Sequence, residues 1–177
     1  MGVTGWPRNV AWSEFDPRSS RPAGETEDAQ IAPIADAPTS GIKIGRDGNK
    51  LKLGPFTIKV YVDGSQSWVV TAAKSASLLS HEQGHYDIAG LGAWEEHRRF
   101  EALRADNPSK LADMIQEVLQ TSKQKTQDLQ DYYDSTKQTN NGRNPTKQAE
   151  WEKKIADAIK NNYQALPDAP PRAQWNK

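Results

Sequence analysis

Two of the chain's three histidines stand four residues apart, in His81-Glu82-Gln83-Gly84-His85. Residues four apart on a helix share a face one turn apart, so both imidazoles can reach one ion. Glu82 lies one residue, roughly 100°, around the helix. It borders the metal face without having to bind, and from there it can take a proton from a water that a metal polarises. The HExxH pattern therefore reads as a ligand pair with a general base beside it, and Zn2+ is the ion expected, because it acidifies water and polarises a scissile carbonyl. The alternative is a solvent-exposed helix turn carrying two ordinary histidines. Fewer than about one chain in a hundred of this length would match by chance.

A third ligand has to come from elsewhere. With no cysteine in the chain, thiolate sites, disulfides and Cys nucleophiles are all excluded, leaving His, carboxylate, carbonyl or water. Asp87, six residues after His81, points nearly opposite the metal face and is expected to pair with Arg98 or Arg99. A third His on the same helix would fall at position 91, which is Leu91. On a following helix, Asp106, Asp131 and Asp134 are all candidates. His97 lies on a separate face and reads as a surface residue. Tyr132 or Tyr133 could hydrogen-bond an oxyanion, although tyrosines at helical spacing are more often core. Gly84 lowers helix propensity, which a close neighbour would explain, either another helix or the strand at 66–70.

The elements must bring these residues together. The 177 residues, 35% apolar with six Trp, five Tyr and three Phe, suffice for one domain with a core. Residues 1–40 read as an irregular arm with a strand-like start at 9–15. Residues 41–165 form the domain proper, and 166–177 a Pro-rich, extended tail. Alternating runs at 41–44 and 50–53 flank Asp47-Gly48, a hairpin signal. At 56–62, Phe56, Ile58, Val60 and Val62 alternate with Thr57, Lys59 and Tyr61. Asp63-Gly64 then turns the chain into a strand at 66–70. Together these predict a small antiparallel sheet with one buried face. A helix follows from about 72 to 106, which Gly90 and Gly92 are expected to kink or break. Asn107-Pro108 and Asn144-Pro145 each read as a cap followed by Pro at the first helical position, opening helices over about 108–138 and 146–163. The fold class is α+β: this sheet packed on the HExxH helix, with two further helices.

Charge narrows the partners. Lys and Arg number 23, as do Asp and Glu, and no basic stripe interleaves with aromatics, which disfavours nucleic acid. No run approaches the ~18 apolar residues of a membrane span. The first ten residues, MGVTGWPRNV, lack an apolar signal core, so a cytoplasmic protein or a trimmed signal is expected. A strand edge beside the metal helix would dock an extended peptide past the metal.

Several short blocks carry a family resemblance: Trp12-Ser13-Glu14-Phe15, Thr39-Ser40-Gly41-Ile42, Ser67-Trp68-Val69, and residues 78–89 around the HExxH motif. Tyr133-Asp134, Thr139-Asn140-Asn141-Gly142, and Gln148 with Trp151 continue it. From about residue 9 to 160 the chain resembles the bacterial domain-of-unknown-function family described as predicted secreted zinc-dependent proteases. The resemblance implies a zincin-like fold, a zinc-dependent peptidase acting on peptide or protein substrates, and a secreted or periplasmic location. It also favours Asp134, within the matched Tyr-Asp block, as third ligand. One position departs: the family block reads Thr-x-His-Gly, and Asn141 stands where His would be. If that His is the third ligand, this chain has a weaker carbonyl ligand or none there. The competing expectation is a catalytically weak or inactive metal- or peptide-binding module on the same fold, and an amide hydrolase acting on the cell wall is a third.

Overall fold

The computed structural model describes residues 2–38 and 40–175. Thr39, part of the second matched block, lies outside the described residues, as do residues 1, 176 and 177. In chain order the strands are β1 (Gly2–Thr4), β2 (Asp16–Arg18), β3 (Ala29–Gln30), β4 (Pro33–Asp36), β5 (Ile44–Asp47), β6 (Lys50–Leu53), β7 (Thr57–Val62) and β8 (Trp68–Val70). The helices are α1 (Ala76–Ala102), α2 (Pro108–Asp134) and α3 (Pro145–Lys160).

The architecture is α+β, with three small sheets in place of the one antiparallel sheet expected. Strand β7 is central to the order β1-β7-β4, with β1 parallel and β4 antiparallel to it. Strand β8 is central to β2-β8-β3, again with one parallel and one antiparallel neighbour. Strands β5 and β6 form a hairpin at the predicted turn, but its first strand lies at Ile44–Asp47, beyond the run read at 41–44, and runs directly into Gly48, whose φ of +57° is a conformation that favours glycine. The alternation read at 56–62 holds: Ile58 and Val60 are buried while Lys59 and Tyr61 are exposed.

The reading of residues 1–40 as an irregular arm needs correction. This segment supplies β1 to β4 and buries Trp6, Val10, Phe15, Ala29 and Ile31 in the same core as the helices. Each of its strands has at most four residues and two contain Pro, too short a run for alternation to show. Residues 9–15 are not a strand: Trp12–Glu14 is a 3-10 turn, where the Glu14 carboxylate accepts from the Ala11 N–H at 2.9 Å and from Arg8 at 2.5 Å. The tail is not simply extended, since Leu166 is buried, Arg172–Gln174 is a 3-10 turn, and Trp175 packs on Tyr132.

All three helices carry a side-chain cap. Ser75 Oγ accepts from Leu78 N–H at 3.2 Å, and Asn107 and Asn144 accept from Lys110 and Lys147 N–H at 2.9 and 3.2 Å. Helix α1 starts later than expected because Thr71–Ala73 forms a 3-10 turn. It stops earlier because Ala105 pairs with Leu51. It runs unbroken through Gly90 and Gly92. A Cβ on Gly90 would lie 2.2 Å from the Trp6 indole, and one on Gly92 would lie 2.5 Å from Thr126 Oγ1. These glycines are points of close approach rather than kinks. Helix α1 thus becomes the central element, packed on β1, β4 and β7 and on α2 and α3. No helix among the described residues is long and apolar enough to cross a membrane.

Candidate metal centre

His81 and His85 project from one face of α1, and Asp134 from the last turn of α2, so that the ligand atoms of all three lie within 4.8 Å of one another. Asp134 Oδ1 is 3.2 Å from His81 Nε2 and 3.0 Å from His85 Nε2. These separations are close to the edge, roughly 3.3 Å, of a tetrahedron whose corners lie about 2.0–2.1 Å from a shared centre. Oδ1 is buried and accepts no well-directed hydrogen bond, despite its two near neighbours. Three donor atoms converge on one point, and a cation there satisfies the orphaned oxygen. The set fits a divalent metal.

The far side of each ring is held. His85 Nδ1 lies 2.5 Å from Gln130 Oε1, and Gln130 Nε2 donates back to the His85 carbonyl at 3.0 Å. His81 Nδ1 lies 3.3 Å from Gln148 Oε1, on α3. An amide oxygen can only accept, so Nδ1 of each imidazole carries a proton, and Nε2 is the nitrogen left facing the shared point. Tyr133 stacks on the His81 ring at 4.8 Å and 11°, and its hydroxyl lies 3.1 Å from the His81 carbonyl and 3.0 Å from Gln148 Oε1. The loop after α2 closes the site: Asn141 N–H donates to the Asp134 carbonyl at 3.2 Å, and a Cβ on Gly142 (φ +74°) would meet the His81 side chain at 3.0 Å.

Burial alone would push Asp134 up, but the histidines beside it hold it below the ordinary carboxylate range. Burial opposes charge on His85, yet the Asp134 carboxylate overrides it and raises His85 to about 9. His81 is lowered by burial. Glu82 is 2% exposed, and burial pushes its carboxyl up to about 7. One of its oxygens accepts from the Ile31 N–H, just after β3, at 2.9 Å.

Of the predicted site residues, His81, Glu82, His85 and Asp134 come together. Asp106 and Asp131 do not: Asp106 pairs with Lys50 and Lys110, and Asp131 with Arg172. Asp87 points away from the metal face as expected, but not toward Arg98 or Arg99. It accepts from Trp6 Nε1 at 2.7 Å, a partner the N-terminal segment brings in, and from Gln83 Nε2, one turn earlier on α1, at 3.0 Å. His97 is not a surface residue. It is 2% exposed, packs on the Phe56 ring at 4.6 Å, and has Nε2 3.4 Å from the Phe56 carbonyl. Tyr133 supports the site from its buried side, and Tyr132 Oη accepts from Gln138. The neighbour that Gly84 makes room for is Tyr133, whose Oη would lie 2.2 Å from a Cβ. Sequence reasoning missed Gln130, although its place one turn before Asp134 on a helix was a usable signal. It also missed Glu27, which lines the site's groove.

That groove, of about 1060 Å³, passes between residues 30–37, the exposed face of α1 and α2. The strand pair before the metal helix offers no free edge for the expected peptide dock: β7 lies between β1 and β4, and β8 between β2 and β3. The edge that faces the groove belongs to β4, which pairs only with β7. Comparison with protein-family models, with curated proteins and with solved structures returns no match for the chain.

Proposed function

We propose that the protein is a zinc-dependent peptidase with a zincin-like arrangement, in which His81, His85 and Asp134 hold the ion and Glu82 is the general base. The observation that carries this reading is the convergence of His81 Nε2, His85 Nε2 and Asp134 Oδ1 beside a buried Glu82 that also lines an open groove. Bound zinc supplies a Lewis acid that polarises a carbonyl and acidifies water. Glu82, raised to about 7, is matched to taking a proton near neutral pH and returning it to the leaving amine. The Ile31 N–H fixes one Glu82 oxygen, which orients the carboxylate and leaves the other for the proton. Gln130 and Gln148 keep both imidazoles in the ligating tautomer. An extended peptide adds to the free edge of β4, which carries its backbone along the groove past the ligands.

The test is digestion of an unfolded protein such as casein by zinc-loaded protein, with and without chelator, alongside Glu82→Gln. Gln keeps the size and cannot take the proton. Hydrolysis should fall by about 100- to 10,000-fold with zinc retained, the scale of a general-base contribution. Loss of zinc together with activity would make Glu82 a ligand. Zinc binding with no hydrolysis by the wild type would leave the metal- or peptide-binding module in place of the peptidase.

A further inference from the structure

The groove continues well past the metal ligands. From His85 it runs over Ala89, Gly92 and Ala93 to Glu96. Glu96 lies 11 residues after His85 on the unbroken α1. It therefore returns to within about 20° of the same face, roughly 16.5 Å along the axis. The small residues between them leave a trough with the β4 edge on one side and α2 on the other. Beyond the site's own carboxylates, Glu25, Glu27, Asp36, Asp131 and Glu96 face this trough, against Lys123 alone among its basic lining residues. Asp131 is already paired with Arg172.

Two of these carboxylates, Glu27 and Glu96, are half-buried and form no side-chain hydrogen bond or ion pair among the described residues. Glu27 interacts with His85 and Asp134 and belongs to the surroundings of the metal centre, whereas Glu96 lies at the far end of the trough, away from them. Its neighbour Arg99 is turned to α2, donating to Ser122 Oγ at 3.0 Å and Thr121 Oγ1 at 2.6 Å. A partly desolvated carboxylate whose nearest cation is bonded elsewhere, as Arg99 is, is unfavourable until another cation reaches it. Its position in the trough leaves that cation to the ligand.

We propose that Glu96 is a specificity residue that receives a lysine or arginine side chain of an extended polypeptide, about five residues from the bond held at the metal centre. The register follows from roughly 16.5 Å of helix against about 3.3 Å per residue of extended chain. The proposal rests on the peptidase reading for its register, and on the groove alone for its charge preference.

The probes are fluorescent peptides of Gly, Ala, Ser and Phe bearing one Lys, moved one position at a time, and the same set bearing Glu. Zinc-loaded wild type, Glu96→Gln and Glu96→Lys are compared by position of cut, kcat/KM and anisotropy-measured Kd. With the charge four to six residues from the cut bond, the wild type should favour Lys over Glu by about tenfold, Glu96→Gln should bring the pair within about twofold, and Glu96→Lys should reverse the order. A Lys preference that is absent, or that survives in Glu96→Gln, overturns the proposal. If no peptide is cut, anisotropy still decides. A Glu96-dependent preference in binding keeps the cation subsite and removes the peptidase, and equal binding of Lys and Glu peptides removes the subsite.

Discussion

Replacing Gly84 by Ala adds one methyl group on the buried face of α1, inside the HExxH motif. On an exposed helix the change would stabilise by about 1 kcal/mol through helix propensity. Here the new Cβ would lie 2.2 Å from Tyr133 Oη, 2.6 Å from Cζ and 3.2 Å from Cε1. Tyr133 has no room to retreat. It is fully buried, stacked on His81, and met edge-on by His85 at 4.9 Å and Trp151 at 5.3 Å. Overpacking of this kind costs about 1–3 kcal/mol. Displacing the hydroxyl from the His81 carbonyl and Gln148 costs about 1–3 kcal/mol more. Net of propensity, Gly84→Ala should destabilise by about 1–5 kcal/mol, lowering Tm by about 2–20 °C in a chain of this size. Zinc affinity should fall as well, because the displaced ring supports His81. Thermal melts with and without zinc measure both effects. Adding Tyr133→Phe removes the 2.2 Å contact and should recover part of the loss, while the Cζ contact remains. A Gly84→Ala protein as stable as the wild type, or more so, would refute this packing account.

Other outcomes follow from the same geometry. Gln130→Ala removes the acceptor behind His85 and should weaken zinc binding by about 10- to 100-fold with the fold intact, read by competition with a chromophoric chelator. His81→Ala, His85→Ala and Asp134→Asn each delete one of three convergent ligand atoms, and elemental analysis should find most of the metal gone; near-stoichiometric zinc in any of them refutes that ligand. Glu96 has its carboxyl pushed up to about 7 by burial, which Arg99 only partly offsets, so folding favours its protonated form. Its contribution is full below the ordinary value of 4.5 and is lost as pH rises through about 7. Discounted for partial exposure, Glu96→Gln should be more stable than the wild type by about 1–2 kcal/mol near pH 8 and by little near pH 5, and urea melts in which the gap does not widen with pH would count against it.

The pairing of His81 with His85, the place of Glu82 beside them and the helices were legible because each depends on local spacing. His81 and His85 share a helical face whatever packs against it, and the two Asn-Pro starts are self-contained signals for α2 and α3. Asp134 was narrowed to three carboxylates by residue type and favoured among them by the matched Tyr-Asp block, while its approach to the histidines depends on the packing of α2 against α1. What stayed hidden depends on partners far along the chain. Asp87 found Trp6 and its helical neighbour Gln83 rather than Arg98 or Arg99, and His97 found the Phe56 carbonyl, because buried polar groups go to whatever contact satisfies them. The two mixed sheets escaped for a related reason. Strands of two to four residues carry too little alternation to announce themselves, and the partners β1 and β2 choose are parallel, which no turn signal marks.

The bond from Ile31 to Glu82 bears on the order in which the molecule is made. It spans 51 residues of chain, Trp6 to Asp87 spans 81, His85 to Gln130 spans 45, and His81 to Gln148 spans 67. Contacts this distant close only after long loops have been brought together, so they form late in folding. A chain leaving the ribosome can wind α1 and present both histidines while the carboxylate that completes the triad is still unsynthesised. Gln148, which fixes the ring of His81, comes later still, on the last helix. Until α3 has emerged and docked, the HExxH turn carries two histidines, and the ring of His81 lacks the partner that fixes it. Long-range closure thus leaves the supported His-His-Asp cluster to the end of synthesis, once Gln148 is in place.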